Sequence, residues 1–374
     1  MIAVDKLFPT QEVGSLAKPA WLLKGVRGTR LSREDWADLD HWGARLEIEG
    51  IDDLRRLLNG GGEPSEKTKA AIRDWAALFA IRLEEAAGLD VVYDGEARRV
   101  EMYEYPVRRI DGFQFYGHVR SFDNRYYRKA AVVDRVALRE PFHLDELGYV
   151  KRQARRPVKI PVTGPYTLAD WSFNEYYLRE AGEIADLRKR KYEAKRRFTL
   201  DLATEVLRPT LQSLVEVGAD WIQVDEPAAT THAEEVPILV EAFNAAVEGL
   251  RARVSIHICY SDYRALYPHI LDMKVDMLTL EFKNTGDYNI VNIFKEFADP
   301  RAIGLGVLDV HADVIESPEE VKEKILQAVD ILGRPERIWV NPDCGLRTRT
   351  WDVAFAKLQN MVEGARLARE AVVA

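Results

Sequence analysis

Only two cysteines occur in 374 residues, too few for a disulfide framework. No apolar run approaches the ~18 residues that a membrane-spanning helix requires. Met1–Thr10 lacks the basic start and apolar stretch of a secretory leader, so the chain reads as cytoplasmic with no membrane partner. A basic excess is missing too: 53 Lys and Arg stand against 61 Asp and Glu, a formal charge of -8 that argues against nucleic acid as a partner. There is no internal repeat and no low-complexity tract. No Gly-rich phosphate loop follows the first strand candidate, which weighs against a doubly wound dinucleotide-binding sheet. What is present, 47% hydrophobic and 30% charged residues, suits a large buried core.

Short β-branched runs alternate with long amphipathic stretches, the pattern of a parallel α/β fold. Strand candidates are Gln11–Ser15, Val91–Glu96, Val158–Thr163, Trp221–Asp225, Ser255–Cys259, Met277–Phe282, Ile303–Val310 and Arg337–Asp343. Helical patterns cover Glu66–Ala87, Glu183–Val217, Glu234–Arg251, Pro318–Leu332 and Asp352–Ala371. The order predicts a (β/α)8 TIM barrel spanning residues 1–374 as a single domain. Ser65, after the loop Asn59–Pro64, is placed to cap the next helix. The aromatic and arginine-rich stretch of residues 98–139 reads as a β-hairpin inserted after the second strand, with Asp111-Gly112 between its two runs. The basic run Arg188–Lys191 with Lys195, Arg196 and Arg197 reads as a solvated helix face, or else as a docking patch for an acidic partner.

Both cysteines fall at strand ends. Cys259 stands two residues after His257, and alternate residues of a strand face the same side. Cys344 follows the last strand in Asn341-Pro-Asp-Cys-Gly345. In a barrel both would lie at the C-terminal mouth, where such folds keep their active sites. One imidazole and two thiolates there form a donor set suited to Zn²⁺. The spacing alone equally allows two buried structural cysteines and a satisfied core histidine. Glu281 ends a neighbouring strand and could add an oxygen ligand. Glu96 and the pair Asp225-Glu226 end two others, and acidic groups around such a site would hold a cation such as an amino group. His311, after Val307–Val310, is placed for proton transfer.

These segments, taken in order, resemble the catalytic half of cobalamin-independent methionine synthase. The resemblance touches Glu12-Val-Gly-Ser15, Asp94-Gly-Glu96, Thr163-Gly-Pro-Tyr-Thr-Leu-Ala-Asp-Trp-Ser-Phe173, Ile222-Gln-Val-Asp-Glu-Pro227, His257-Ile-Cys259, Glu281, Gly306-Val-Leu-Asp-Val-His311 and Pro342-Asp-Cys-Gly345. It implies a zinc-dependent methyltransferase that makes methionine from homocysteine. His257, Cys259, Glu281 and Cys344 would be the zinc ligands. Val13, Gly14, Ser15, Glu96 and Asp225 would hold the homocysteine backbone, His311 would be the proton donor, and Trp171 would pack on the methyl donor. Free thiols titrate near 8.5, so homocysteine is a poor nucleophile at neutral pH unless a metal lowers that value.

Three departures bear on the methyl donor. The chain is too short to contain the additional N-terminal half of the family's full-length enzymes. Thr231 stands where the family has an acidic residue that contacts folate. The hairpin segment Tyr116-Gly-His-Val-Arg120 lacks the family's arginine–cysteine pair. Together they favour methylcobalamin or another methylcorrinoid, free or on a corrinoid carrier protein, over 5-methyltetrahydrofolate. Two other readings are a related zinc barrel that methylates a different thiol such as coenzyme M, and a non-catalytic barrel that binds zinc and homocysteine. Glu96 and Asp225 favour an amino-bearing thiol, and His311 favours a catalyst over a sensor.

Overall fold

The computed structural model describes residues 4–60, 62–120, 126–259, 261–285 and 288–373. Its strands are β1 (Ile110–Arg120), β2 (Tyr126–Leu138), β3 (Ile160–Thr163), β4 (Phe173–Asn174), β5 (Trp221–Asp225), β6 (Arg253–Ile258), β7 (Met277–Leu280), β8 (Ala302–Leu308) and β9 (Ile338–Pro342). The order β3-β5-β6-β7-β8-β9 forms one parallel sheet. Isolated parallel bridges then carry the pairing onward, Thr10 with Val340, Gln11 with Val91 and Val92 with Val158. These neighbours close the ring of a (β/α)8 barrel. Every residue of β3, β5, β7 and β9 is buried, as expected of parallel strands covered on both faces.

The first two expected strands are corrected by this arrangement. Gln11–Ser15 and Val91–Glu96 contribute single bridges and then run on as irregular backbone. Side chains occupy the backbone groups that a ladder would use. Tyr93 N donates to Glu84 Oε2 at 2.8 Å, the Glu12 carbonyl accepts from Lys159 Nζ at 2.5 Å, and the Val13 carbonyl accepts from Gln223 Nε2 at 2.6 Å.

The helix Glu66–Ala87 starts where Ser65 Oγ accepts from Thr68 N at 3.1 Å. The helix Pro318–Leu332 opens on a full capping box between Ser317 and Glu320. The stretch 183–217 is not one helix. It divides into an α-helix Leu187–Asp201, a π-helical segment Leu202–Leu207 and an α-helix Arg208–Glu216. Pro209, with no N–H to give to the preceding turn, sits just past the break.

The insertion is an antiparallel hairpin of β1 and β2, with β4 added in parallel beside β2. Asp111-Gly112 is not its turn. It lies near the start of β1, at a register shift before Phe113. Gly112 has φ +92°, and a side chain there would meet the Asp134 and Arg135 carbonyls at 2.7 Å, so this bulge requires glycine. The connection between the strands lies outside the described residues.

An aromatic cluster joins the early helices to the last one. Trp42, fully buried, lies edge-on to Trp351 and Phe355 with centroids 5.4 and 5.9 Å apart. Trp351 Nε1 donates to the Ala17 carbonyl at 2.7 Å, tethering the segment after Ser15 to the helix Trp351–Val373. Among the described residues no helix is long and apolar enough to cross a membrane.

Candidate metal and substrate site

Parallel strands deliver their C-terminal ends to one mouth. Asp225 ends β5, His257 and Cys259 close β6, Glu281 follows β7 and Cys344 follows β9. Register sets Asp225 beside His257, and His257 beside Thr279 of β7.

His257, Cys259 and Cys344 bring one donor atom each to within 4.8 Å of one another. The two sulfurs are 3.7 Å apart. Tetrahedral Zn²⁺ with Zn–S bonds of about 2.3 Å would space two sulfurs about 3.8 Å apart. His257 Nδ1 lies 3.1 Å from the Thr279 carbonyl, which accepts its hydrogen bond and leaves Nε2 as the nitrogen available to a metal. That Nε2 is buried and has no hydrogen-bond partner. An orphaned imidazole nitrogen beside two thiols is the environment a soft-to-borderline cation completes.

Without a cation, the three groups divide their protons unequally. The hydrogen bond with Cys259 and the neighbouring His257 outweigh burial and set the Cys344 thiol well below its ordinary value. The same sulfur–sulfur hydrogen bond and burial push the Cys259 thiol well above. Burial pulls His257 down, but the Cys344 sulfur, Asp225 and the Thr279 carbonyl outweigh it and raise the imidazole. Geometrically the Cys344 sulfur acts on Nε2 through charge rather than through a hydrogen bond.

Glu281 is buried but stands outside this close triad. Its Oε1 accepts from Asn284 Nδ2 at 2.7 Å, and its backbone N donates to Tyr263 Oη at 2.7 Å. Asp343, unremarked in the sequence, holds that segment. Its carboxylate accepts from the backbone N–H groups of Phe282, Lys283 and Asn284 at 3.0, 3.0 and 2.6 Å. The residue before one candidate ligand therefore fixes the loop that carries another.

The acidic groups stand beside the donor set, Asp225 on the neighbouring strand and Glu96 beyond β3. Asp225 Oδ1 accepts from Gln223 Nε2 at 2.7 Å. Burial, eased by His257 and reinforced by the like charge of Glu96, pushes the Asp225 carboxyl up to about 7. Glu96 sits in the left-handed region, φ +56°, behind Gly95 at +57°. Buried Arg99 reaches Glu96 Oε1 at 3.4 Å, and a side chain on Gly14 would lie 3.6 Å from that oxygen. Leu16 N donates to the Gly95 carbonyl at 3.0 Å, joining the segments that hold Val13–Ser15 and Glu96. Ser15, Glu96 and Arg99 line a cavity of about 270 Å³.

Glu226 has a scaffolding part instead. Its carboxylate accepts from Tyr166 N, Thr167 N and Thr167 Oγ1 at 3.0, 2.7 and 2.6 Å, capping the helix Pro165–Asp170. Any side chain at Gly164 would strike it. Trp171 ends this helix against Tyr127 of β2 and against Tyr103, with ring centroids 5.5 and 6.4 Å away. The hairpin is thereby attached to the mouth.

His311 lies in the loop after β8, its backbone N donating to Asp309 Oδ1 at 2.7 Å. Asp309 N in turn donates to Glu316 Oε1 at 2.8 Å, and Glu316 pairs with fully buried Lys357 at 2.7 Å. In the basic cluster, Lys195 pairs with Asp170, Arg196 with Glu241 and Arg197 with Glu193, which fits a solvated, internally paired face.

Comparison with known proteins adds to this geometry. A family described as "Cobalamin-independent synthase, Catalytic domain" matches residues 51–367. Methionine synthase of Pyrococcus furiosus is 38% identical over 97% of this chain and 94% of its own length. That of Thermoplasma acidophilum is 37% identical over 94% and 96%. Among solved structures, a B12-independent methionine synthase from Shewanella sp. W3-18-1, in complex with selenomethionine, superposes with a TM-score of 0.76. It shares 20% identity over 98% of this chain and 99% of that one, a likeness of fold. The family description gives the corrinoid expectation no support and leaves the methyl donor undetermined. Matched by profile over most of its length and by relatives over nearly all of it, the chain belongs to the cobalamin-independent methionine synthase family.

Proposed function

We propose that the chain transfers a methyl group to the sulfur of homocysteine, giving methionine. The observation that carries the reading is one barrel mouth where a buried His–Cys–Cys donor set has two acidic groups beside it. Zinc held by His257, Cys259 and Cys344, with Glu281 as the adjacent oxygen donor, would supply the Lewis acidity that lowers a substrate thiol from near 8.5. Glu96 and Asp225 bind the α-ammonium group, and Val13, Gly14 and Ser15 form the wall beside it. Trp171, braced by Tyr127 and Tyr103, offers the methyl donor an aromatic face. A sulfur lone pair forms the new S–CH3 bond while the bond from methyl to donor breaks and leaves its electron pair on the donor.

The donor is the finer question, and two features pull in different directions. Thr231 and the altered hairpin weaken the folate half of the site, whereas the family description gives a corrinoid no support. A departing folate nitrogen needs a proton, and His311 is the group to hold it. Cobalt leaves with its electron pair and needs none. The test is methionine formation from homocysteine by zinc-loaded protein, with methyltetrahydrofolate and methylcobalamin supplied separately. Turnover with either supports the reading, and none with both overturns it. With folate as donor, His311→Asn should cost ~10²–10⁴-fold, the usual contribution of general acid catalysis. With a corrinoid it should cost far less.

A further inference from the structure

Below Asp225 lies a charged group that the methyl transfer itself does not call on. Lys159, just ahead of β3, has a side chain with no solvent exposure. Its ammonium donates to Gln11 Oε1 at 3.0 Å, to the Glu12 carbonyl at 2.5 Å and to Gln223 Oε1 at 2.6 Å. Three donors meet three acceptors, and the buried Glu12 carboxyl group lies 3.9 Å away.

An ammonium group has no lone pair, so Gln223 must turn its carbonyl oxygen toward Lys159. The amide nitrogen is thereby aimed the other way, donating to the Val13 carbonyl at 2.6 Å and to Asp225 Oδ1 at 2.7 Å. One side chain thus ties together two segments assigned to substrate binding. With Oδ1 of Asp225 held, Oδ2 is the oxygen that remains for a ligand. If the amide turned over, its oxygen would face two other acceptors.

We infer that Lys159 and Gln223 are positioning residues that set the preference for thiols bearing an α-amino group, by fixing the Gln223 amide and through it Asp225. The inference rests on the reading of Asp225 as the ammonium-binding group. Neither residue touches substrate.

The experiment uses zinc-loaded full chain with Lys159→Met and, separately, Gln223→Glu. The second keeps an acceptor for Lys159 but turns an acceptor toward Asp225, so it tests the same idea without an empty pocket. Homocysteine is the substrate, and 4-mercaptobutyrate, the same skeleton without the amino group, is the competitive inhibitor. Both variants should raise KM for homocysteine at least ~10-fold, the scale of a lost hydrogen bond to a charged group, with kcat within about 3-fold. Zinc content and the inhibition constant of 4-mercaptobutyrate should stay at wild-type values. An equal loss of affinity for both thiols, or loss of zinc, would make the network a structural element only and overturn the inference. Wild-type protein that does not methylate homocysteine would instead defeat the functional reading, a separate outcome.

Discussion

From β3 round to β9 the barrel wall is a continuous parallel ladder, while from β9 back to β3 it is joined by isolated bridges. The candidate metal ligands all stand on the first arc. Val13–Ser15 and Glu96 stand on the second, and Asp225, on β5 of the first, is joined to Val13 through Gln223. Regular strands hold donor atoms to a fixed spacing, which a metal with short bonds demands. The irregular arc instead has its backbone groups taken by side chains, and Gln223 and Lys159 do the fastening. Metal binding and amino-acid recognition should therefore fail independently when each arc is disturbed.

The severest break should come at the metal arc. Cys259→Ser and Cys344→Ser should each lower zinc from about one ion per chain to near zero by elemental analysis, and reduce methionine formation to background. Next is Asp225→Asn, which removes one charge from the ammonium site. KM for homocysteine should rise at least ~30-fold, the lower end for breaking a buried charge pair, with zinc retained. Loss of zinc in that variant would mean that the two arcs are not separable.

Gly345 lies where the arcs meet, and it offers a third test. A side chain there would approach Ser15 N, O and Oγ at 2.8, 3.0 and 3.1 Å. Gly345→Val should lower stability by about 1–3 kcal/mol through overpacking against backbone. It should also weaken zinc and homocysteine binding together while leaving every ligand side chain in place, checked by calorimetric unfolding and by titration of each ligand.

The smallest effect is a pH dependence on the ladder side. Burial pushes the Glu226 carboxyl up to about 7, against its ordinary 4.5. The folded state therefore keeps a proton that the unfolded chain releases. That contribution to stability is complete below about 4.5 and is lost as pH rises through about 7. The Tm of the wild type should fall across this window, and Glu226→Gln should flatten that part of the profile.

How much of this could be read from the sequence follows the same division. His257-Ile-Cys259 and the residues after β9 were legible because strand periodicity places them, and Trp221–Asp225 is observed with its expected bounds. The irregular arc was not legible as such, since Gln11–Ser15 and Val91–Glu96 carry strand-like side chains while their backbone partners are side chains distant in sequence. Gly112 was misassigned because a glycine in a bulge and a glycine in a turn look alike without register. The break at 202–207 gives little warning beyond Pro209. Lys159 went unnoticed although it left a mark, a lone charge beside the apolar run of β3. Asp343 and Gln223 sat inside the quoted motifs without a role, because nothing local says which backbone groups they would reach.

The contact between Gly345 and Ser15 also bears on how the protein is made. His257 and Cys259 emerge from the ribosome together, but Cys344 follows much later, and its neighbour Gly345 docks on Ser15, synthesised well before all of them. Two donors from one strand are a poor hold for an ion that wants four. Until the last barrel position closes against the first, the growing chain has no complete metal site. With zinc held by these residues, metal acquisition would belong to the end of folding, and a zinc-loaded chain would already have joined its first and last barrel segments.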